Sequence, residues 1–431
     1  MTSTPIKVKK YGGTSVGSVE LILGIAKKLV QEQRRGVSQV VVVSAMAKTT
    51  DRLLKMALDV ASRPRARELD MLLATGEQVS ISLLAMAVQD LGARAISLTG
   101  AQCGIVTDGN FARARIQNIA TDRIKQALQD GNIVIVAGFQ GTTTDHEITT
   151  LGRGGSDTTA TALAAALHSS ACEIYTDVDG VFTADPRVVP QARLLPFISF
   201  DEMLEYAASG SRVLHPRCVE IAKKYDILME VRSSFKSQSK TTIIREENLE
   251  KVAITGVTGD AKIARVALTR VRDIPGVVAK ISQYLADSGI NIRLIIQGIR
   301  HDQTNDVSLI VGQDDAEKAQ AVLQAGAEEV GAEEIEMDKG VAKVSVIGSG
   351  VASTPGVPAR MFQALAKNNI NIDLISSSEV RIACIIREEE LDAAVRAIHQ
   401  EFDLAQLGQR LQDVKGYLSG LYELNYHQIP C

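Results

Sequence analysis

A glycine-rich segment from Thr149 to Ala160 contains the side chains with the clearest potential for chemistry. It follows the β-branched run 133–139, which predicts a buried parallel strand, and it leads into an Ala- and Leu-rich helix over 159–167. We expect Ser156 or Asp157 to cap that helix. Glycines let the backbone approach a ligand, and the free N–H groups of a helix start favour an anion. An ordinary tight turn is the alternative, so this segment alone indicates only an anion site.

Other charged residues suit a reaction that moves a phosphoryl group. Arg153 lies in the glycine-rich segment, and Lys10 ends the first predicted strand beside a second glycine turn. The turn-rich stretch 175–187 adds three aspartates and an arginine. Phosphoryl transfer depends on positioning and charge neutralisation, and it needs no covalent nucleophile from the protein. The plain alternatives are a solvated lysine and ordinary Asp-Gly and Asp-Pro turns.

Glu77 follows Thr75 and Gly76 at the start of another predicted helix. An acidic side chain at that position stabilises the helix through its dipole. It can equally receive the ammonium group of a substrate, and the residues leave both interpretations open.

The elements that must position these side chains alternate between strand and helix through the first half of the chain. Strands are predicted over 6–10, 40–43, 93–98, 133–137 and 172–176, and helices over 19–33, from 49 and from 75. This alternation predicts an α/β domain with a mainly parallel sheet, in which the ligand crevice lies beyond the carboxyl ends of the strands. Lys10, Ser44, Phe139 and Thr176 stand at those ends, so we expect one shared site.

The chain has 431 residues, which predicts two or three domains. Its formal net charge of −4 argues against nucleic acid or an anionic membrane surface as the main partner. We expect no membrane span and no signal peptide, because no apolar run reaches about 18 residues and the chain begins almost directly with a strand. The five scattered cysteines predict reduced thiols, no metal site and a cytoplasmic location.

The second half of the chain contains an internal repeat. Residues 273–295 align without gaps on residues 353–375, and 12 of the 23 positions are identical. Each copy has a Pro-Gly turn before a predicted helix and an Ile-Asn-Ile sequence at the start of a predicted strand. The repeat indicates two small α+β modules behind the α/β domain.

Together with the repeated tail, four ordered motifs resemble those of aspartate kinases (aspartokinases) over essentially the whole chain. The motifs are Lys10-Tyr11-Gly12-Gly13-Thr14-Ser15, Thr75-Gly76-Glu77, the glycine-rich Leu151 to Asp157, and Thr176 to Val181. The resemblance implies an amino-acid-kinase-like three-layer α/β domain at 1–245. It also implies two ferredoxin-like α+β ACT modules within 246–431, with repeat units near 263–335 and 341–415.

The resemblance implies an activity and a set of site residues. The reaction would convert ATP and L-aspartate to ADP and 4-phospho-L-aspartate with Mg²⁺, the first step towards lysine, threonine and methionine. Lys10 would neutralise the moving phosphoryl group and Asp157 would orient Lys10. Aspartate would contact Ser44, Thr50, Glu77, Arg153 and Ser156. The nucleotide would contact Lys10, Tyr11, Gly12, Gly13, Thr176, Asp177, Phe182, Thr183, Ala184, Asp185, Pro186, Arg187, Arg212 and Val213.

The resemblance also implies feedback control by lysine, threonine or both, bound to the ACT modules. In the first copy the effector residues would be Asp273, Ile274, Pro275, Gly276, Val277, Val278, Ala279, Asn291, Ile292, Arg293 and Gln297. In the second they would be Val357, Pro358, Asn371, Ile372 and Ser378, with Pro355, Gly356 and Ala359 at matching positions. The modules would pair chains into a homodimer or a higher homo-oligomer, alone or with a shorter tail-only subunit.

Two residues depart from the family pattern. Arg212 stands where lysine is more common, and Arg293 replaces an acidic residue that Asp373 keeps in the second copy. Two rival functions follow from the same motifs: another kinase of this fold, such as acetylglutamate kinase, and an inactive amino-acid sensor. The tail and the Lys-Tyr-Gly-Gly-Thr-Ser motif argue against the first, and the intact charged residues argue against the second.

Overall fold

The computed structural model describes residues 5–211, 213–236, 239–245, 253–300 and 302–407. In the first domain the strands are β1 (Ile6–Tyr11), β2 (Ser38–Val43), β3 (Ala95–Leu98), β4 (Ile105–Thr107), β5 (Ile116–Ile119), β6 (Ile133–Ala137), β7 (Gln140–Thr142), β8 (Ile148–Thr150), β9 (Ala171–Thr176), β10 (Phe197–Ser199), β11 (Met229–Ser233) and β12 (Lys240–Ile244). Its helices are α1 (Val19–Gln33), α2 (Thr49–Val60), α3 (Ala66–Leu73), α4 (Thr75–Asp90), α5 (Asp122–Gln129), α6 (Gly155–Ala166), α7 (Phe200–Ala208) and α8 (Pro216–Tyr225).

The repeated tail contributes the remaining described elements. Its strands are β13 (Gly256–Asp260), β14 (Ile263–Arg272), β15 (Leu294–Ile299), β16 (Thr304–Gly312), β17 (Glu334–Asp338), β18 (Val341–Ile347), β19 (Leu374–Ser377) and β20 (Arg381–Arg387). Its helices are α9 (Val277–Asp287), α10 (Ala316–Ala325), α11 (Ala327–Val330), α12 (Val357–Lys367) and α13 (Leu391–Glu401).

An eight-stranded sheet forms the centre of the first domain, in the order β10-β12-β11-β9-β1-β2-β6-β3. The six strands from β11 to β3 are parallel. Strand β12 pairs antiparallel with β11, and β10 pairs parallel with β12 at the edge of the sheet. The strands that carry the predicted site residues, β1, β2, β6 and β9, are neighbours. Their carboxyl ends therefore meet at one edge of the sheet, as the alternation of elements predicts.

Helices cover both faces of this sheet, which makes three layers. Val40 and Val42 pack in one buried core with helices α5, α6 and α8. Val41 and Val43 alternate to the other face and pack with helices α1 and α4. The strands are buried on both sides, which is why they are continuous β-branched runs in the sequence. The predicted three-layer α/β fold is confirmed.

The tail forms two four-stranded antiparallel sheets, and one strand of the second sheet comes from an earlier part of the chain. The first sheet has the order β15-β16-β14-β17 and the second has the order β13-β18-β20-β19. Strand β13 precedes the whole first repeat, yet it pairs with β18 of the second. The second module thus takes its edge strand from the segment between the first domain and the first module. The division at residue 246 and the end of the second repeat unit fall outside the described residues and stay predictions.

The second module is docked on the first domain through buried polar contacts. Glu202 of α7 completes a capping box with Ser199, and its other carboxylate oxygen accepts hydrogen bonds from the Thr255 hydroxyl and the Ser349 amide. Nearby, the Lys343 ammonium donates to the Ala208 carbonyl at 3.1 Å. Burial lowers the pKa of Lys343 to about 8. The junction is therefore a specific, largely dry contact.

Two local predictions differ from the structure. Helix α6 begins at Gly155 with Gly154 as its N-cap, so Ser156 and Asp157 lie in its first turn and do not cap it. Gly154 has φ +68°, a conformation that glycine adopts without strain, and this starts the helix earlier than the predicted caps. In both repeats the Ile-Asn-Ile sequence precedes the strand, which starts at Leu294 or Leu374.

One helical run, Ala66–Asp90, is long and apolar enough to cross a membrane by length and composition, contrary to the sequence-based expectation. Half of its apolar window is buried inside the protein. Its second part, α4, packs against α1, β3 and β6. A core helix of a folded domain passes the same test, so the run is weak evidence for a membrane span.

Gly256 of β13 packs tightly against the first domain at the junction. A Cβ added there would lie 1.8 Å from Tyr206 Oη and 2.4 Å from the Thr183 carbonyl oxygen. Gly256→Ala should therefore lower the free energy of unfolding by about 1–3 kcal/mol through overpacking. Gly24→Ala is the matched control, because a Cβ on this exposed position of α1 meets nothing within 4 Å. It should stabilise the protein by up to about 1 kcal/mol. Denaturant titration of both variants measures the difference, and an unchanged Gly256→Ala midpoint would contradict the close packing.

Candidate active site

An ion pair joins the end of β1 to the start of α6. The Lys10 ammonium lies 2.6 Å from a carboxylate oxygen of Asp157, and both side chains are about nine-tenths buried. Lys10 lies on the face of the sheet that α6 covers, opposite Val42 and Ile174 in the neighbouring strands. Gly12 leaves space beside the ammonium, since a Cβ there would lie 3.4 Å from it. A fixed positive charge thus borders an open position at the strand ends.

Glycines let the first turn of α6 approach the ends of the strands. A Cβ on Gly138, just beyond β6, would lie 2.6 Å from Ser156 Oγ. Gly154 packs against the side chain of His215, where an added Cβ would lie 2.3 Å from His215 Cβ. The Phe139 amide donates to Thr159 Oγ1 at 3.1 Å. These contacts place the α6 N–H groups and Asp157 at the sheet edge, as the glycine spacing suggests.

Glu77 is a buried carboxylate at the same edge. Its side chain is 3% exposed, and one oxygen accepts a hydrogen bond from the Ala45 amide at 3.0 Å. The other oxygen has no hydrogen-bond partner among the described residues. Burial raises the pKa of Glu77 to about 7. Ser44 precedes Ala45, and its amide donates to the Tyr11 carbonyl at 3.1 Å. Glu77 is thereby connected, through residues 44 and 45, to the end of β1. An unpaired buried carboxylate is expected to have a ligand.

The remaining residues predicted to contact aspartate lie around Glu77 and the α6 turn. Ser44 and Thr50 are half-buried at the end of β2 and the start of α2, and Ser156 is buried. Arg153 lies apart from them, because its side chain is 85% exposed and reaches Asp314 of the first module at 3.6 Å. In this arrangement the guanidinium does not contact the pocket.

The predicted nucleotide residues follow β1 and β9. The Gly12 amide donates to the Tyr175 carbonyl at 3.1 Å, so the glycine turn lies next to the end of β9. Thr176 is half-buried and Asp177 is exposed at that end. Tyr11 points to the opposite face, where its ring stacks on Tyr175 with centroids 4.6 Å apart. Only the backbone of Tyr11 lies at the edge, because successive strand residues alternate between faces.

The stretch from Phe182 to Arg187 has a buried base and an exposed tip. Thr183 and Ala184 are buried, whereas Pro186 is exposed. At the tip the Arg187 guanidinium binds the Asp185 carboxylate at 2.6 Å. Val213 is half-buried at the edge of the main core. Arg212 lies outside the described residues.

Two residues that the sequence analysis did not single out hold the loops of the site. Asp70 is fully buried and accepts hydrogen bonds from the amides of Ala112 and Thr150, both at 2.8 Å, and from the Thr150 hydroxyl. The Arg217 guanidinium donates to the carbonyls of Leu151 and Ala114, at 2.8 and 3.1 Å. Asp70 thus links the 108–115 loop to β8. Arg217 links the same loop to Leu151, which lies between β8 and α6. Arg217 follows His215 and Pro216, and no local signal indicates that its partners would be carbonyl groups.

The predicted effector residues form similar turns in the two modules. Gly276 and Gly356 precede α9 and α12 with φ of +95° and +90°, and neither helix has a side-chain cap. Val277 and Val357 are buried in the cores, so only their backbone can contact a ligand. The other predicted positions are half-buried or exposed: Asp273, Ile274, Pro275, Val278, Ala279, Asn291, Ile292, Arg293, Gln297, Pro358, Asn371, Ile372 and Ser378.

The unusual Arg293 has a defined partner. Its guanidinium lies 2.7 Å from Asp260 of β13, in the sheet of the other module. Its counterpart Asp373 lies 3.9 Å from Arg265 of β14, also across the modules. The charge reversal at 293 is thus matched by an acidic partner, and it serves the contact between the modules.

Among the described residues no group of three or more His, Cys, Asp or Glu side chains is placed to hold a metal ion. Asp179 is engaged by Lys236 at 2.6 Å, and Asp177 accepts a hydrogen bond from Thr176. Both aspartates that follow β9 are therefore engaged by neighbouring side chains.

Comparison with known proteins decides the family. The model of the amino acid kinase family matches residues 5–233, and ACT domain models match residues 265–325 and 344–402. The aspartokinase of Bacillus sp. (strain MGA3) is 49% identical over 92% of this chain and 97% of its own length. The chain belongs to the aspartokinase family. Its activity is that of an aspartate kinase, and the names of its relatives support neither the acetylglutamate kinase nor the inactive sensor.

Solved aspartokinase structures share the fold. E. coli aspartokinase III in complex with aspartate and ADP has a TM-score of 0.79 at 24% identity, covering 92% of this chain and 99% of that one. The lysine and aspartate complex of the same enzyme has a TM-score of 0.70 at 26% identity, with the same coverage. The predicted kinase domain with two ACT domains is confirmed.

Gly138→Ala tests whether the position of the α6 turn matters for activity. The added methyl group would overlap Ser156 and push the turn that carries Asp157 away from Lys10, so we expect kcat to fall by about tenfold or more. Gly24→Ala adds the same methyl group far from the site and serves as the control. Steady-state kinetics measures both, and wild-type kcat in a folded Gly138→Ala protein would contradict the importance of this packing.

Proposed function

We propose that this site transfers the γ-phosphoryl group of ATP to the side-chain carboxylate of L-aspartate, with Lys10 as the central electrostatic group. The lysine neutralises charge that develops on the phosphoryl oxygens, and Asp157 holds its ammonium in place. The carboxylate of the substrate is itself the nucleophile. The protein therefore needs to align two anions, and the cationic group between them offsets their repulsion.

The observation that carries this proposal is the unpaired oxygen of Glu77. A buried carboxylate with one free oxygen, near the Lys10–Asp157 pair, selects a substrate that brings a positive charge beside its carboxylates. The α-ammonium of aspartate meets that requirement. Ser44, Thr50 and Ser156 complete the pocket, and Arg153 binds the α-carboxylate after its exposed side chain leaves Asp314. The Arg153–Asp314 ion pair is exposed, so little free energy is lost when it breaks.

The nucleotide lies along the ends of β1 and β9. The glycine turn at Gly12 and Gly13 provides room for phosphates beside Lys10, and Thr176 with Asp177 flanks them. The stretch from Phe182 to Arg187, with Arg212 and Val213, holds the rest of the nucleotide. Mg²⁺ arrives on the ATP phosphates and offsets their charge.

A coupled assay of ADP release tests the reaction. Aspartate with MgATP should give turnover, and acetylglutamate should give none above background. Turnover with acetylglutamate and not with aspartate would overturn the substrate assignment. No turnover with either would favour an inactive sensor.

The pKa of Glu77 sets a pH dependence. Above about 7 the free enzyme holds Glu77 ionised, and below it the proton removes the counter-charge for the ammonium group. At saturating MgATP, kcat/KM for aspartate should therefore fall about tenfold for each pH unit below this pKa. Glu77→Gln should raise KM for aspartate, leave KM for ATP nearly unchanged and lose the acidic limb. A limb that persists in Glu77→Gln would assign the titration to another group.

The tail gives the enzyme its proposed control. The uncapped starts of α9 and α12 offer N–H groups to an amino-acid carboxylate, and Asn291, Gln297 or Asn371 can receive its ammonium. The strand β15 exposes Ile295 and Ile299, at 42% and 84%, which suits a sheet-to-sheet contact between two copies of the chain. We propose a cytoplasmic homodimer or higher homo-oligomer, with or without a tail-only subunit, that lysine or threonine inhibits.

Titration of lysine and threonine, singly and together, at subsaturating aspartate tests this control. Inhibition needs an effector that favours one of two arrangements by about 1–3 kcal/mol, which corresponds to about 5- to 150-fold in affinity. Gln297→Ala should weaken the response without changing activity in the absence of effector. A flat response of the wild-type enzyme to both amino acids would leave the tail with an assembly role only.

A further inference from the structure

Residues 183–193 form a loop whose two ends meet at Thr183 and Arg193. The Thr183 amide donates to the Arg193 carbonyl at 2.9 Å, and the Arg193 amide donates to Thr183 Oγ1 at 3.0 Å. The exposed Asp185–Arg187 pair of the proposed nucleotide stretch lies within this loop. We call the pairing of Thr183 with Arg193 the neck of the loop.

The neck is held by the second ACT module at three points. The Val257 amide of β13 donates to the Thr183 carbonyl at 2.8 Å, and the Arg193 guanidinium donates to the Ala405 carbonyl at 3.0 Å. The third contact joins Thr183 Oγ1 to His399 Nε2 of α13 at 2.9 Å. Thr183 and His399 are 0% and 3% exposed, so water does not compete for this bond.

The other hydrogen bond of the Thr183 hydroxyl indicates which group donates in the contact between Thr183 and His399. Thr183 Oγ1 already accepts from the Arg193 amide, and the nearest acceptor left for its own proton is the imidazole nitrogen. In the direction that gives the Thr183 hydroxyl both a donor and an acceptor partner, His399 accepts at Nε2 as a neutral ring with its proton on Nδ1. Burial lowers the pKa of His399, which favours the same neutral form.

We propose that His399 is a positioning residue for nucleotide binding, through which the second ACT module fixes the neck of the 183–193 loop. This inference rests on the proposed nucleotide stretch. The imidazole never touches the nucleotide; it locks the Thr183 side chain, and the neck in turn fixes where the loop tip lies. Any movement of α13 relative to the kinase domain would then change nucleotide affinity before it changed the aspartate pocket.

The test compares His399→Leu with His399→Gln. Leucine fills the space but cannot accept the Thr183 proton, so the dissociation constant of ADP and KM for ATP should rise about fivefold or more, while KM for aspartate changes little. Glutamine presents an acceptor near the position of Nε2 and should restore both values to within about twofold of wild type. A purely structural role would not produce that rescue or that split between the two KM values.

Arg381→Met is the matched control at the same junction. It removes the 2.9 Å ion pair with Glu205 of α7, which does not touch the loop. Nucleotide affinity should stay at the wild-type value. An equal loss in Arg381→Met would show that general docking, and not His399, sets the affinity, and an unchanged ADP dissociation constant in His399→Leu would overturn the proposal.

Two further measurements keep the outcome decisive. If His399→Leu does not fold, His399→Asn takes its place, because the shorter amide ends near the position of Nδ1 and does not reach Thr183 Oγ1, and it should weaken ADP binding as leucine would. The binding titration is carried out without aspartate. A wild-type chain that fails to bind ADP would contradict the proposed nucleotide stretch, whereas normal wild-type binding that His399→Leu leaves intact contradicts only the role of His399.

Discussion

The buried ion pair between Lys10 and Asp157 is the constraint on which the kinase site depends. It joins the end of a central strand to the first turn of α6, two elements separated by more than a hundred residues in sequence. The desolvation free energy of two buried charges is about as large as the free energy of their attraction, so such a pair contributes little net stability. What it provides is position, because the ammonium is held at the edge of the sheet where phosphoryl charge would develop in the proposed reaction. The close contacts of Gly138 and Gly154 exist to let α6 reach that pairing distance.

The same edge holds a second, uncompensated charge. Glu77 is buried with one oxygen free, and the desolvation that raises its pKa is a cost that a substrate ammonium offsets on binding. In the proposed reaction the fixed cation faces the phosphoryl group and the free oxygen of Glu77 accepts from the substrate ammonium. Two anionic substrates can be aligned between them without a covalent intermediate. The ACT modules stand outside this chemistry, yet the second one contacts the neck of the 183–193 loop directly.

Much of this arrangement follows from the sequence for physical reasons. Strands that are buried on both faces appear as β-branched runs, so β1, β2, β6 and β9 and the convergence of Lys10, Ser44 and Thr176 are predictable. The start of α6 is not, because its cap depends on a positive φ at Gly154 against a histidine sixty residues away. Asp70, Arg217 and His399 show no local pattern either, since their partners are backbone carbonyls, amides or a distant hydroxyl. The pairing of β13 with the second module, and of Arg293 with Asp260, depends on tertiary contacts that no repeat alignment contains.

A double-mutant cycle on Lys10 and Asp157 tests the central claim most directly. If Asp157 acts only by holding Lys10, then Lys10→Met and Asp157→Asn should each lower kcat by about 10²–10³. The double variant should then be no slower than Lys10→Met alone, within about threefold. Each variant must be folded at the assay temperature, since removing one partner leaves the other charge buried and unpaired and lowers the free energy of unfolding. Losses that multiply in the double variant would show that the two residues act independently, and would contradict an ion pair that works as one unit.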